Sequence, residues 1–145
     1  MLASKAQYCE VLELNNLLLT SADNRKMLIE IATTICALSE DLKELVLVGT
    51  QSTPEQGDEI LKNLCDSGIR SFEKISFSGC RNIMGKVFPN TWFEGRPETF
   101  DKLLTIMKRQ PRIKVLDLLE CNLTEEQQEG LRSALAGTGC EISFD

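Results

Sequence analysis

The sequence predicts an α/β chain wound as a solenoid, with a short parallel sheet covered by helices on one face only. Three observations predict it. The ten-residue frame "VLDLLECNLT" at 115–124 returns as "VLELNNLLLT" at 11–20, where Val11, Leu12, Leu14, Leu19 and Thr20 fall on Val115, Leu116, Leu118, Leu123 and Thr124. The strand-like stretches are short and alternate apolar with polar residues, as expected of a sheet buried on one face. Each interval between them carries apolar residues at spacings of three and four, the period of an amphipathic helix. Strands joined through helices pair in parallel. A doubly wound sheet, buried on both faces, would instead read as continuous apolar runs with a Gly-rich ligand-binding turn; "VLELN" and "VLDLL" are not such runs, and no GxGxxG is present.

The strands follow from the frame. Residues 44–53, "ELVLVGTQST", keep Leu45, Leu47 and Thr53, and residues 74–83, "KISFSGCRNI", keep Ile75 and Phe77 and place Cys80 where the 115–124 stretch has Cys121. The final "CEISFD" begins the frame again with Ile142 and Phe144. The anchors Leu12, Leu45, Ile75, Leu116 and Ile142 are separated by 33, 30, 41 and 26 residues, in or near the range of solenoid repeats. The chain therefore reads as one domain over 1–145, with repeats starting near 9, 42, 72, 113 and 139.

The first interval predicts a helix from about Asn24 to Leu38, with Met27, Leu28, Ile31, Ala32, Ile35 and Leu38 on one face. In the second, Thr53 caps free amides, Pro54 takes the first helical position where its missing N–H costs nothing, and Gly68 stops a face of Ile60, Leu61 and Leu64. The third, near Pro97 to Arg109, is expected to bury Phe100, Leu103, Leu104 and Met107. The fourth opens on "TEEQ", a capping box of Thr124 and Gln127, buries Leu131 and Leu135, and ends at Gly137 and Gly139.

The frame L-x-x-L-x-L-x-x-N/C-x-L, written here as "IKVLDLLECNL" from Ile113, "LKELVLVGTQS" from Leu42 and "FEKISFSGCRN" from Phe72, resembles the leucine-rich repeat of the long, ribonuclease-inhibitor type. Leu17 and Thr50 stand where Asn or Cys is usual, and Ser52 and Asn82 replace the final Leu. The resemblance implies a right-handed solenoid with about five strands on its concave side and about four helices on its convex side. It also implies binding of another protein, without choosing the partner.

Composition narrows the classes of function. The 145 residues hold 42% hydrophobic and 26% charged side chains, with no apolar run long enough to span a bilayer, so no membrane is expected. A formal charge of -6 without Lys/Arg clusters argues against nucleic acid. With no histidine, neither Ser/His nor Cys/His catalysis nor a Cys/His zinc site can be built, and no phosphate-cradling GxxxxGK loop occurs. The reading is a non-enzyme with no catalytic residue, metal or cofactor. The six cysteines include no CxxC pair, and the first residues lack a signal sequence, which points to reduced thiols and a cytoplasmic, intracellular setting. Cys80 and Cys121 are expected as buried ladder positions meeting backbone amides.

The candidate site is the sheet face turned away from the helices. It holds Glu13, Asn15, Val46, Val48, Ser76, Ser78, Asp117 and Leu119, with Val11 and Val115 on the same side. Apolar residues on a face that should be solvated mark partner binding, although valine is also simply favoured in strands. The 41-residue unit adds a long 84–97 loop whose Phe88, Trp92 and Phe93 would either anchor a partner or fold down as a local core. The expected function is a scaffold that binds a partner protein through this face and loop. The alternatives are a regulatory subunit resembling GTPase activators, with Asn15, Asn16 and Glu120 as its polar edge, and a structural repeat fragment that stacks end to end on other copies or belongs to a larger assembly.

Overall fold

A computed structural model describes residues 10–19, 30, 31, 33, 34, 37, 42–84 and 97–144. It is an α/β structure with five three-residue strands: β1 (Val11–Glu13), β2 (Glu44–Val46), β3 (Lys74–Ser76), β4 (Val115–Asp117) and β5 (Glu141–Ser143). They form one parallel sheet in the order β1-β2-β3-β4-β5. Its register sets Leu12 beside Leu45, Leu45 beside Ile75, Ile75 beside Leu116 and Leu116 beside Ile142. The five anchors read from the sequence therefore form one row across the sheet.

Pairing continues past the strands into the turns. The amides of Asn16, Gly49 and Gly79 donate to the carbonyls of Val48, Ser78 and Leu119 at 2.7, 2.7 and 2.8 Å. Asn16, Gly49, Gly79 and Glu120 occupy equivalent places, four residues after their anchors, and all have positive φ, between 57° and 76°. The backbone after each of the first four strands turns through the same left-handed conformation. Glycine adopts this conformation without strain at the inner two, φ 69° at Gly49 and 76° at Gly79, and a Cβ on Gly49 would also press on the Asn16 side chain, 2.6 Å from its Oδ1.

Three helices lie between the later strands: α1 (Pro54–Ser67), α2 (Pro97–Lys108) and α3 (Glu125–Ala134). The predicted capping box at Thr124 forms, and the predicted Thr53 cap is a full capping box as well. Thr53 Oγ1 accepts from the Gln56 amide at 3.1 Å while Gln56 Oε1 accepts from the Thr53 amide at 2.9 Å, and Thr124 and Gln127 repeat the pair at 3.1 and 3.0 Å. Gly68 closes α1 with φ 68°, and α3 ends before Gly137 and Gly139. Of the helix predicted at 24–38, Glu30, Ile31, Thr33, Thr34 and Ala37 are helical and Ile31 is buried; its other stripe residues lie outside the described residues.

One apolar core gathers the anchor row through Leu116, the second row Leu47, Phe77 and Leu118, and the inward faces of the helices; Ile142 packs against its end. In α2 the buried residues are Phe100, Leu103, Ile106 and Met107, whereas Leu104, expected inside, is only half-buried. α2 packs against both α1 and α3, Ile106 joins the core, and Leu104 packs against its margin.

Polar links fix the helix layer. Asp58 on α1 accepts from Thr99 Oγ1 at 2.6 Å and from Lys102 Nζ at 2.7 Å on α2. Buried Gln110 accepts from the Phe72 amide at 3.1 Å and donates to the carbonyls of Ile69 at 2.8 Å and Ile106 at 2.9 Å. A side chain with all these contacts satisfies the buried backbone between the end of α2 and the segment that leads into β3.

Candidate functional site

The face opposite the core is made of three rows. The first is Val11, Glu44, Lys74, Val115 and Glu141; the second is Glu13, Val46, Ser76, Asp117 and Ser143. The third, two residues further on, is Asn15, Val48, Ser78 and Leu119. Because side chains alternate across a strand, all of these point away from the anchors.

The structure brings these predicted residues together but does not expose them equally. Glu13 and Asn15 are exposed and bonded to each other, Asn15 Nδ2 donating to Glu13 Oε2 at 2.8 Å. Val48, Ser78, Asp117 and Leu119 are half-buried. Val46 and Ser76 depart from the expectation of a solvated face, with only 7% and 2% of their surface exposed. They occupy the middle row of the inner strands, where neighbours about 4.8 Å away on either side and the rows above and below crowd them out of water. The accessible apolar surface is thus Val48, Val115 and Leu119, with Val11 47% exposed at the β1 edge. Phe88, Trp92 and Phe93 lie outside the described residues.

Asp117 is the best-positioned polar group on the face. Ser76 Oγ donates to its Oδ2 at 3.1 Å, and the Leu119 amide donates to its Oδ1 at 3.2 Å. Both oxygens are held, so the carboxylate is fixed before any partner arrives.

Two features escaped the sequence reading. Two residues before each of the first four anchors stand Glu10, Lys43, Glu73 and Lys114, an alternating ladder along the entry edge of the sheet. Lys43 pairs with Glu10 at 3.1 Å and Lys114 with Glu73 at 2.9 Å. The hydrogen bond from Lys114, aided by the charges of Lys114, Lys43 and Arg112, holds the Glu73 carboxyl below its ordinary range. Aligning the units on their anchors would have revealed this alternation.

The second feature is a cleft of about 550 Å³ at the exit edge, floored by Gly49 and Gly79 and bordered by Ser52, Arg81, Asn82 and Glu120. Arg81 faces Glu120 at 3.7 Å. Of the polar edge named for a regulatory role, Asn16 and Glu120 are the two non-glycine members of the left-handed turn row.

The ladder cysteines are buried and the Cys80 sulfur meets backbone amides, of Thr50 and Gly49, as expected; their thiols also donate to carbonyls just past the preceding strand, Cys80 to Leu47 and Cys121 to Phe77, the latter at 2.9 Å. Burial pushes the Cys80 thiol up to about 11, and the amides of Thr50 and Gly49 offset only part of that effect. Cys80 is a structural residue, because a thiol so rarely ionised is a poor nucleophile.

The chain matches no family model, and no curated protein or solved structure is significantly similar to it. Among the described residues no helix is long and apolar enough to cross a membrane.

Proposed function

We propose that the protein is a non-enzymatic recognition scaffold of the leucine-rich-repeat kind, whose coils stack as a right-handed solenoid and present the face opposite the helices to another protein. The observation that carries this reading is the half-buried Val48, Val115 and Leu119 grouped around the fixed carboxylate of Asp117. A small apolar area with one positioned polar group is the makeup of an interface centre, and its ring of Glu13, Asn15, Glu44 and Ser78 supplies a polar rim. Support for the solenoid comes from the sequential strand order and from the row of equivalent turn residues, since a stack of similar coils repeats its backbone geometry from one unit to the next. The 84–97 loop with Phe88, Trp92 and Phe93 belongs to the same proposal as a second contact, and the cytoplasm is the compartment it assumes.

The test compares partner capture by the intact chain and by a Val48→Asp, Leu119→Asp variant. Both residues are half-buried on the face, so the fold should persist, whereas the buried Val46 is a poor choice because a carboxylate there would unfold the sheet. The expected result is loss of the proteins that the intact chain captures, with circular dichroism unchanged. Capture that survives in a folded variant overturns the interface.

A further inference from the structure

The proposed interface can be given a partner chemistry, and this step rests on the reading of the face as a protein-binding surface. Its three rows carry four carboxylates, Glu13, Glu44, Asp117 and Glu141, against one ammonium, Lys74, a net of -3. The rim ladder does not change that balance, because Glu10 pairs with Lys43 and Glu73 with Lys114. Among these four carboxylates Asp117 alone has both oxygens fixed by donors of the chain, the Ser76 hydroxyl and the Leu119 amide. Each donor is neutral, and among the described residues no lysine or arginine lies within ion-pair distance of Asp117. A half-buried carboxylate held in place without a countercharge is poised for an incoming cation.

Its surroundings suit one kind of cation. Val115 and Leu119 flank Asp117 on the same strand side, so a side chain reaching the carboxylate must lie along aliphatic carbon. The methylene stem of an arginine covers such surface while its head stays polar. Each Asp117 oxygen accepts one hydrogen bond, from the Ser76 hydroxyl or the Leu119 amide, and so keeps acceptor capacity, and a planar guanidinium matches both oxygens at once in a way that a compact ammonium does not.

We propose that the face takes an extended aliphatic segment of a partner protein that sets an arginine side chain on Asp117, with its stem between Val115 and Leu119. Selection is then for positive charge flanked by small apolar residues. An acidic or purely apolar segment is turned away, the first by the net charge of the face and the second by the desolvation of Asp117 that it would impose.

The test uses the full chain, isotope-labelled for amide spectra, and two acetylated and amidated pentapeptides, Gly-Val-Arg-Val-Gly and the same peptide with citrulline in place of arginine. Citrulline keeps the shape and removes the charge. The arginine peptide should move the amide signals of Ser76, Val48 and Leu119 and bind about fivefold more tightly than the citrulline peptide, the ratio expected for a partly exposed ion pair. Asp117→Asn retains an acceptor for the Ser76 hydroxyl and should erase that ratio, whereas Asp66→Asn, an equal charge loss on the exposed side of α1, should leave it intact. If both peptides move the face signals equally, the interaction face stands and the arginine site is overturned. If neither peptide moves them, or if the arginine preference persists in Asp117→Asn, the inference is likewise overturned. The peptide comparison on the unaltered chain decides the matter even where a variant folds poorly.

Discussion

Replacing glycine by alanine inside an exposed helix ordinarily stabilises a protein by about 1 kcal/mol, because alanine loses less backbone freedom on folding. Gly57, in the first turns of α1, should do the reverse. A Cβ built there would sit 2.6 Å from the Asn82 carbonyl oxygen and 2.9 Å from both the Ile83 Cα and its carbonyl oxygen. All three are backbone atoms, so no side-chain rotation relieves the clash. The 80–84 turn is itself held, with Ile83 and Met84 fully buried and Asn82 Nδ2 donating to the Ser52 carbonyl at 3.0 Å. Overpacking of this kind costs about 3 kcal/mol at its upper end, and the helix preference of alanine returns about 1, so Gly57→Ala should lose about 2 kcal/mol. Gly130 in α3 is the internal control. Its Cβ would meet only the Phe100 ring at 3.7 Å, an ordinary contact, so Gly130→Ala should gain a few tenths to about 1 kcal/mol. Urea unfolding followed by circular dichroism gives both values. A Gly57→Ala chain as stable as the parent would refute the close approach of α1 to the turn, and two variants of the same sign would refute the reasoning behind both.

Glu120→Gly should stabilise the fold by about 1 kcal/mol, since glycine adopts φ 57° without the penalty that a side chain incurs and the exposed 3.7 Å pair with Arg81 contributes little; a thermal melt about 3 °C higher is the expected readout. Cys80, whose thiol is raised from 9.0 to about 11, is held in its neutral form by the fold, so its contribution to stability is complete below about pH 9 and is lost as pH rises through 11. Iodoacetamide should accordingly modify Cys80 about a hundredfold more slowly than a cysteine of ordinary pKa at pH 8.5, with mass mapping showing half-exposed Cys65 labelled before Cys80. Equal labelling of Cys65 and Cys80 would contradict the burial.

Much of this architecture was readable from the letters because the frame is periodic. Leu12, Leu45, Ile75, Leu116 and Ile142 could be aligned by eye, and the sheet pairs those same residues. The capping boxes were equally legible, since Thr-x-x-Gln satisfies free amides locally and needs no tertiary knowledge. What failed depended on neighbours distant in sequence. Alternation placed Val46 and Ser76 on the outer face correctly, but exposure depends on the strands beside them, which only the assembled sheet supplies. Leu104 and Ile106 are both apolar and two apart, so the pattern of α2 alone could not tell which one faces its neighbours. The sequence reading placed Cys80 and Cys121 in the interior and missed their carbonyl acceptors, because those carbonyls lie just past the preceding strand, 33 and 44 residues earlier. Asp117 was named as a face residue, yet the donors that fix it, Ser76 forty-one positions earlier and an amide two positions later, emerge only in three dimensions.

The alternation of Glu10, Lys43, Glu73 and Lys114 makes the strand-and-helix segments behind them non-interchangeable. Excising the single segment that begins near Lys43 would bring Glu10 against Glu73, like beside like, while excising the two segments from Lys43 to Arg112 would restore an opposite pair, Glu10 against Lys114. Internal deletion of two such segments is thus electrostatically neutral and deletion of one is not, so this edge acts as a parity rule on internal shortening of the sheet.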